Sequence, residues 1–300
     1  MASLQAYLAS WMLRRRLKPR LAKSQSVEHS RKLMTPEPYK VPRDVRITSA
    51  TLGGVAGEWV EASNNGAGTL LYLHGGGYFA MSPQTHRPIT AGFARQGFRV
   101  FAPDYRLAPE HRFPAAIEDA VAVYRVLLAE SHSIVVAGDS AGGGLSMALL
   151  LSLRDAGIAL PSGCVLFSPW TDLAATGESI RTNDRRCALF FGHTIADAAK
   201  HYLGDTHPKH PLASPLYADL SGLPPLLIHT GENEVLRDDS TRLAERARAA
   251  GTDATVKLWP VVPHDWQLAP MIPEARQSLQ QAGDFFRQAI ASRRADVTTS

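Results

Sequence analysis

Cysteine and long hydrophobic runs are both scarce in this sequence of 300 residues. Its two cysteines, Cys164 and Cys187, allow one disulfide bond but no disulfide framework, so a reducing cytoplasm is the simplest expectation. No stretch reaches the about 20 apolar residues that a transmembrane helix needs. The apolar run at residues 4–13 is short, precedes its basic residues and lacks a small-residue cleavage site. We therefore expect no signal peptide and no stable membrane insertion.

Over most of its length the chain also lacks a strong excess of charge of one sign. Residues 1–40 carry nine Lys or Arg against two Glu, a net charge of +7, whereas residues 41–300 carry −3. A nucleic-acid-binding domain needs a basic face on its folded body, and this distribution indicates none. We therefore expect no nucleic-acid partner.

Five apolar side chains near the N-terminus recur at helical spacing and predict an amphipathic helix. They are Leu4, Tyr7, Leu8, Trp11 and Met12. We expect this helix to pack on the protein's own surface or to form a flap over a lipophilic site. A membrane-surface anchor is the less favoured alternative, because such charge patterns often mark only a solvated face.

Eight apolar runs along the chain have the composition of β-strands. They cover residues 44–49, 57–62, 68–73, 98–103, 133–137, 163–167, 225–229 and 254–259. The first two alternate, as antiparallel strands with one wet face do, whereas later runs are continuously apolar, as in parallel strands covered on both faces. Helical patterns lie at about 115–129, 141–156, 239–250 and 273–291. This alternation predicts the α/β class, with a mostly parallel sheet between two layers of helices.

Two segments do not fit this alternation, and both are predicted to form a cap. One is the N-terminal segment 1–45, and the other is an insertion at about 175–215 that is rich in His, Pro and charged residues. Open α/β sheets bind ligands at the carboxyl ends of their strands, where we expect both segments to lie. Residues 46–300 are predicted to be one catalytic domain that carries the insertion.

Residues 138–142 read Gly-Asp-Ser-Ala-Gly, a Gly-x-Ser-x-Gly motif between a strand and a helix. An α/β-hydrolase nucleophile elbow requires this context, because the tight turn needs small neighbours and projects its serine above the sheet. Ser140 is therefore predicted to be a catalytic nucleophile. A Gly-rich turn with an incidental serine is the alternative. A phosphate-binding loop is disfavoured, because no Gly-Lys-Ser/Thr ending follows.

Residues 74–77 read His-Gly-Gly-Gly and follow the third apolar run. Successive glycines let backbone N–H groups approach a substrate and point at one oxygen. Gly75 and Gly76, with the N–H of Ala141 after the nucleophile, are predicted to form an oxyanion hole, and His74 is predicted to orient the loop. A flexible turn is the alternative.

The chain order serine, acid, histidine selects the other two catalytic residues. His264 follows the last strand, whereas His229 lies inside an apolar strand and is predicted to be a core residue. Four carboxylates crowd the loop after the preceding strand, and Glu234 is the best placed of them. Histidines at 201, 207 and 210 have loose metal-like spacing, but neighbouring prolines break any helix that would bring them together, so a metal site is not expected.

Together these motifs resemble those of the bacterial hormone-sensitive-lipase-like esterases of the α/β-hydrolase superfamily. The resemblance covers about residues 68–270 and includes Asp-Tyr-Arg-Leu-Ala-Pro-Glu at 104–110 and Ser-Pro-Trp at 168–170, besides the loops described above. The family implies a capped, eight-stranded hydrolase that cleaves short- to medium-chain acyl esters without a cofactor. Many members dimerise through the last strand and a neighbouring helix.

Two departures from the family pattern concern the predicted site. The family's acid is usually Asp, and Glu234 stands at the matching position. The residues after Tyr78 lack the glycine that often precedes the serine, so Met81 is expected to reshape the region beside the oxyanion hole. Tyr78 and Met81 are predicted to contact substrate. Cap side chains, namely Phe190, Phe191 and Tyr202, are expected to set the acyl length.

The predicted function is therefore a serine carboxylesterase that works through a triad of Ser140, Glu234 and His264 and an acyl-enzyme. Its expected partners are small-molecule esters and, as a homodimer, a second copy of the chain. Two alternatives remain open: an amide-cleaving hydrolase with the same triad, and a non-catalytic ligand receptor of the same fold. A true lipase would need a large lipophilic site.

Overall fold

A computed structural model describes residues 2–24, 26–35, 37–131 and 133–299 of the chain. Within these residues, eight strands form one sheet. They are β1 (Val45–Leu52), β2 (Val55–Ala62), β3 (Gly68–Leu73), β4 (Phe98–Pro103), β5 (Ile134–Asp139), β6 (Cys164–Phe167), β7 (Leu226–Gly231) and β8 (Ala254–Trp259). The order across the sheet is β1-β2-β4-β3-β5-β6-β7-β8. The strand β2 is antiparallel to both neighbours, and the remaining pairs are parallel, which confirms the predicted fold class.

Ten α-helices occur in the same described ranges. They are α1 (Leu4–Arg16), α2 (Lys18–Ala22), α3 (Val27–Met34), α4 (Arg87–Ala94), α5 (Ala115–Glu130), α6 (Ser140–Asp155), α7 (Ser179–Thr182), α8 (Gly192–Leu203), α9 (Arg237–Ala249) and α10 (Pro273–Thr299). The four helical patterns of the sequence correspond to α5, α6, α9 and α10. The helix α4 was not predicted, whereas α7 and α8 lie in the insertion that was predicted to form part of the cap.

The sheet is covered on both faces because its central strands are apolar throughout. Residues 70–73 of β3 and 134–137 of β5 are almost completely buried. One apolar cluster joins α5, α6 and α9 to one face of the sheet, and a second joins α4 and α10 to the other. Because the central strands are parallel, their carboxyl ends meet at one edge of the sheet, which is where an open α/β sheet places its ligand site.

The two segments that interrupt the strand–helix alternation contact each other. The N-terminal segment forms α1, α2 and α3, and the insertion contains α7 and α8. The buried Lys18 ammonium donates to the carbonyl oxygens of Asp184 and Cys187, with 3.0 Å to the latter. Arg14 donates to the carbonyl oxygen of Arg186 at 2.6 Å. These bonds tie the N-terminal segment to the insertion.

The apolar stripe predicted on α1 faces outward. Its five members are exposed, whereas Ala6 and Ser10 on the opposite side of the helix are buried. Ala6 belongs to an apolar cluster that includes Trp259 and Trp266. The helix therefore packs on the protein's own surface, as expected, but through its small side chains and not through the apolar stripe.

No helix in the described part of the chain is both long and apolar enough to cross a membrane. Cys164 and Cys187 are buried free thiols, so the optional disulfide bond is not formed. Burial raises the pKa of the Cys164 thiol and makes it an unreactive core residue.

Candidate active site

Ser140 lies in the sharp turn between β5 and α6. Its φ is 50°, in the left-handed region that residues with a side chain rarely occupy. A Cβ on Gly138 would lie 2.3 Å from the carbonyl oxygen of Gly142, and a Cβ on Gly142 would lie 2.0 Å from that of Leu73. The turn therefore accepts only glycine at both positions. The serine begins α6, whose dipole favours negative charge at this end.

The glycine loop after β3 differs from the expectation in one donor. The N–H of Gly75 donates to Asp139 Oδ1 at 3.0 Å, so a protein carboxylate already satisfies it. No hydrogen bond within the described residues engages the N–H of Gly76 or Gly77, and both residues line the cavity that contains Ser140. Gly76 has a φ of 117°, which only glycine adopts without strain. Within the described residues, the second and third glycine N–H groups of the loop thus have no hydrogen-bond partner.

Asp139 is the centre of a buried polar cluster that the sequence interpretation missed. Its Oδ1 accepts from Tyr72 at 2.5 Å, and its Oδ2 lies 3.0 Å from His86 Nε2. Burial opposes a charge on His86, but the Asp139 carboxylate outweighs burial and raises the pKa of His86. A buried, hydrogen-bonded pair of His86 and Asp139 therefore lies beneath the glycine loop, directly beside Ser140.

His74 is buried against the glycine loop, where the predicted orienting role would place it. Burial lowers the pKa of His74 to about 3, so the ring is neutral. Its Nδ1 lies 2.8 Å from the carbonyl oxygen of Gly75, which fixes the proton on Nδ1. The ring stacks on Tyr105 with 4.2 Å between centroids, and the Tyr105 hydroxyl donates to the His74 carbonyl oxygen at 2.6 Å.

His264 and Glu234 form a close pair in the loops after β8 and β7. His264 Nδ1 lies 2.5 Å from Glu234 Oε2. The other oxygen, Oε1, accepts from Ser168 Oγ at 2.6 Å and from the N–H of Gly231 at 2.6 Å. Every partner of this carboxylate is buried, so its direction is fixed. Ser168 is a positioning residue whose only signal in the sequence was the Ser-Pro-Trp motif.

Asp265 is a second carboxylate beside the imidazole, and the sequence interpretation gave it no role. Its Oδ2 lies 3.0 Å from His264 Nε2. Burial opposes a charge on His264, but Asp265 and Glu234 outweigh burial and raise the pKa of His264 well above its usual value. Burial raises the pKa of Asp265 to about 7, although the neighbouring His264 opposes that rise. Within the described residues, His264 Nε2 makes no hydrogen bond of good geometry, although Asp265 Oδ2 lies close to it.

A cavity of about 910 Å³ opens above Ser140. Ser140, His264, Gly76 and Gly77 contribute to its wall. Much of the rest is apolar and comes from both cap segments, for example Leu13, Leu17, Leu33, Met34, Phe190 and Ile195. The sequence-predicted nucleophile and base thus share one lipophilic space with the free glycine donors.

Two of the four predicted substrate-contacting residues line this cavity. Met81 is one of them, with a φ of 70°. Phe190 is the other, and its ring lies edge-on to that of His264 with 5.1 Å between centroids.

The structure places the other two predicted residues, and Tyr202, outside the cavity wall. Tyr78 is buried and stacks on Tyr202 with 3.8 Å between centroids, so both tyrosines serve core packing. Phe191 instead lies under the Lys18 ammonium, 4.1 Å from its ring centroid. The expectations for Tyr78, Phe191 and Tyr202 are therefore corrected. Sequence position alone did not reveal which ring of a Phe-Phe pair turns inward.

No group of three or more His, Cys, Asp or Glu side chains in the described ranges is placed to hold a metal ion. His229 is a core histidine, as predicted. Its Nδ1 lies 2.8 Å from Ser278 Oγ, and burial lowers the pKa of His229 to about 3.

Comparison with known proteins gives a family model, described as the alpha/beta hydrolase fold, that matches residues 70–268. An acetyl-hydrolase of Streptomyces hygroscopicus is 46% identical over 244 residues, which span 80% of this chain and 82% of the relative. An esterase of Acinetobacter venetianus is 38% identical over 247 residues, with the same two shares of 80% and 82%.

Solved structures are similar over nearly the whole chain. A crystal structure of EstE5, soaked with p-nitrophenyl butyrate, has a TM-score of 0.92 and 40% identity, and the match covers 97% of this chain and 100% of that one. A crystal structure of an esterase from the bacterial hormone-sensitive lipase family has a TM-score of 0.90 and 42% identity, with the same coverage of 97% and 100%. The likeness therefore extends over the segments outside the sheet.

Proposed function

Because the chain belongs to the bacterial hormone-sensitive-lipase family of α/β-hydrolase-fold proteins and is a serine carboxylesterase, we propose that Ser140, His264 and Glu234 form its catalytic triad. The observation that carries this proposal is the 2.5 Å contact between His264 Nδ1 and Glu234 Oε2. That contact orients the imidazole of His264, which lines the same cavity as Ser140.

The chemistry of such a triad follows from the atoms in place. Ser140 Oγ attacks the ester carbonyl carbon while His264 Nε2 takes its proton. Glu234 accepts from Nδ1–H, so it fixes the tautomer and stabilises the imidazolium. The imidazolium protonates the leaving alcohol as its C–O bond breaks, which leaves an acyl group on Ser140. Water that His264 deprotonates then cleaves this acyl-enzyme and releases the carboxylic acid.

The oxyanion of each tetrahedral intermediate would be held by the N–H groups of Gly76, Gly77 and Ala141. The N–H of Gly75 already donates to Asp139. This supports Gly76 and Gly77, in place of Gly75 and Gly76, as the oxyanion donors of the loop. Backbone donors aimed at developing charge are a large term in acyl-transfer catalysis, and loss of one costs about 10²–10³ in kcat.

Short- to medium-chain acyl esters are the substrates that the cavity favours. Its volume of about 910 Å³ and its largely aliphatic cap wall suit an acyl chain beyond acetyl. The triad is also competent for amides, but the esterase names of the relatives favour esters.

The direct kinetic test is Ser140→Ala on p-nitrophenyl esters from acetate to octanoate. We expect the wild type to turn over several of these esters and the variant to lose activity by about 10⁴-fold or more. The matched control is Ser152→Ala, which removes a hydroxyl that, among the described residues, bonds only the Ala148 carbonyl oxygen of the same helix. Turnover by Ser140→Ala at the wild-type rate would overturn the assignment.

Two further expectations belong to this proposal. A homodimer through β8 would use the free edge of the sheet, where Leu258 is 41% exposed. Light scattering should then give twice the chain mass, and Leu258→Asp should halve it. A cytoplasmic setting agrees with the two reduced thiols and is tested by fractionation of the producing cell.

A further inference from the structure

An exposed apolar face runs along α1. Among the described residues seven large hydrophobic side chains are exposed, and five of them lie on this helix. They are Leu4, Tyr7, Leu8, Trp11 and Met12, with exposed fractions between 39% and 81%. Isolated exposed hydrophobic residues are common on soluble proteins, but a contiguous patch marks an interaction site.

The opposite side of α1 is fixed to the body, so the apolar face cannot turn inward without loss of contacts. Ser10 Oγ donates to the Val261 carbonyl oxygen at 2.5 Å. The N–H and Oγ of Ser3 donate to the Glu274 carboxylate at 2.6 and 2.8 Å. Ala6 is completely buried between these anchors.

Positive charge continues the apolar face toward the end of the helix. Arg15 follows Trp11 by four residues and therefore extends the same row along the helix surface. Arg14 and Arg16 flank it, and all three are exposed. No Asp or Glu occurs among residues 1–27, so no acidic neighbour in this segment neutralises the cluster.

We propose that this face of α1 binds the surface of an anionic phospholipid membrane. An interfacial helix buries its apolar side about 5–10 Å into the headgroup–acyl boundary while its basic side chains contact lipid phosphate. Tryptophan and tyrosine favour this boundary because their rings are amphipathic. A second copy of the chain is a poorer occupant, because α1 contains no acidic side chain that could pair with the partner's arginines.

The bound orientation would bring the cavity close to the membrane. Leu13 of α1 and Leu17 after it line the cavity, and so does Met271, which is 68% exposed. Resting on the proposed esterase function, the substrate class that this arrangement serves is an amphiphilic ester dissolved in the membrane surface.

Vesicle co-sedimentation tests the binding itself. Vesicles contain either phosphatidylcholine alone or equal parts of phosphatidylcholine and phosphatidylglycerol. We expect the full chain to pellet with the anionic vesicles, with binding that weakens as salt rises. Trp11 is the exposed one of five tryptophans, so the fluorescence should shift to the blue on binding.

Variants of α1 test whether its apolar face makes the contact with the vesicle. Leu8→Ser combined with Trp11→Ser should lower the vesicle partition coefficient by about tenfold or more, and Arg15→Gln should lower it about fivefold for anionic vesicles only. The matched controls are Gln5→Ser, exposed on α1 off the apolar stripe, and Arg125→Gln, exposed on α5. Turnover of soluble p-nitrophenyl butyrate should stay at the wild-type level in all of them.

The proposal would be overturned if the wild-type protein stayed in the supernatant with anionic vesicles. It would also be overturned if the variants of the α1 face pelleted as well as the controls. A third contrary result would be that these variants convert a dimer to a monomer in solution. The last result would assign the face to a second copy of the chain. Because soluble-ester turnover is measured separately, a failure of membrane binding is distinguishable from a failure of the esterase mechanism.

Discussion

The N–H of Gly75 donates a hydrogen bond to the carboxylate of Asp139 at 3.0 Å. Asp139 immediately precedes Ser140, and Gly75 begins the glycine loop. One buried side chain therefore joins the two segments that contain the proposed oxyanion donors. The contact with His86, at 3.0 Å, holds that side chain in turn.

Asp139→Asn should lower kcat by about 10- to 100-fold with little change in KM. The neutral amide weakens the contact with His86, and a displaced glycine loop weakens transition-state binding more than substrate binding. Steady-state kinetics with p-nitrophenyl butyrate give both constants. Asp155→Asn at the far end of α6 is the control, and equal kcat values for the two variants would contradict the role given to Asp139.

Glu234→Gln should lower kcat by about 10³- to 10⁴-fold while the protein stays folded. The amide keeps the size of the carboxylate but neither fixes the productive tautomer nor stabilises the imidazolium. Glu232→Gln changes an exposed residue two positions earlier and should retain wild-type kcat. If the two variants were equally active, another group would have to support His264.

Asp265→Asn should shift the acidic limb of the kcat/KM profile to lower pH. Catalysis needs a neutral His264. Burial opposes a charge on this imidazole, but two carboxylates outweigh burial and raise the pKa of His264. Removal of one carboxylate lowers that pKa, so the neutral base persists in more acidic solution. Asp253→Asn, at an exposed site, should leave the profile unchanged. A shift toward higher pH, or none, would show that Asp265 does not act on His264.

Phe190→Ala should move the acyl-length optimum toward longer chains. The ring lines the cavity 5.1 Å from that of His264, so its removal lengthens the space beside the scissile bond. Phe191→Ala is the matched control, because that ring lies outside the cavity wall and beneath Lys18. Comparing kcat/KM across acetate, butyrate, hexanoate and octanoate measures the optimum. An identical profile in both variants would remove Phe190 from the acyl site.

The strands could be predicted because a strand buried on both faces leaves an uninterrupted apolar run, as in β3 and β5. The helix α4 is only eight residues long and carries Pro88 in its first turn, so it shows too little periodicity to be recognised. For α1 the spacing identified the apolar face, but periodicity does not say which face contacts the body. The tertiary contacts of Ala6 and Ser10 decide that.

The site could be predicted as far as chain order and turn chemistry specify it, which includes Ser140, Glu234 and His264 as candidates. The engagement of the Gly75 N–H could not be predicted, because Asp139 contacts Gly75 only in the folded protein. The contact of Asp265 with His264 could not be predicted for a similar reason. Its side chain contacts the imidazole of the residue before it, its φ is 51°, and nothing in the local sequence specifies this left-handed conformation.

Covalent labelling tests the central claim, that Ser140 is the nucleophile of an acyl-enzyme mechanism. The protein is incubated with a fluorophosphonate, digested and sequenced by mass spectrometry. We predict one adduct on Ser140, loss of esterase activity in proportion to its formation, and no labelling of Ser140→Ala. An adduct on another residue that tracks the loss of activity, or full activity in the completely labelled protein, would contradict the account.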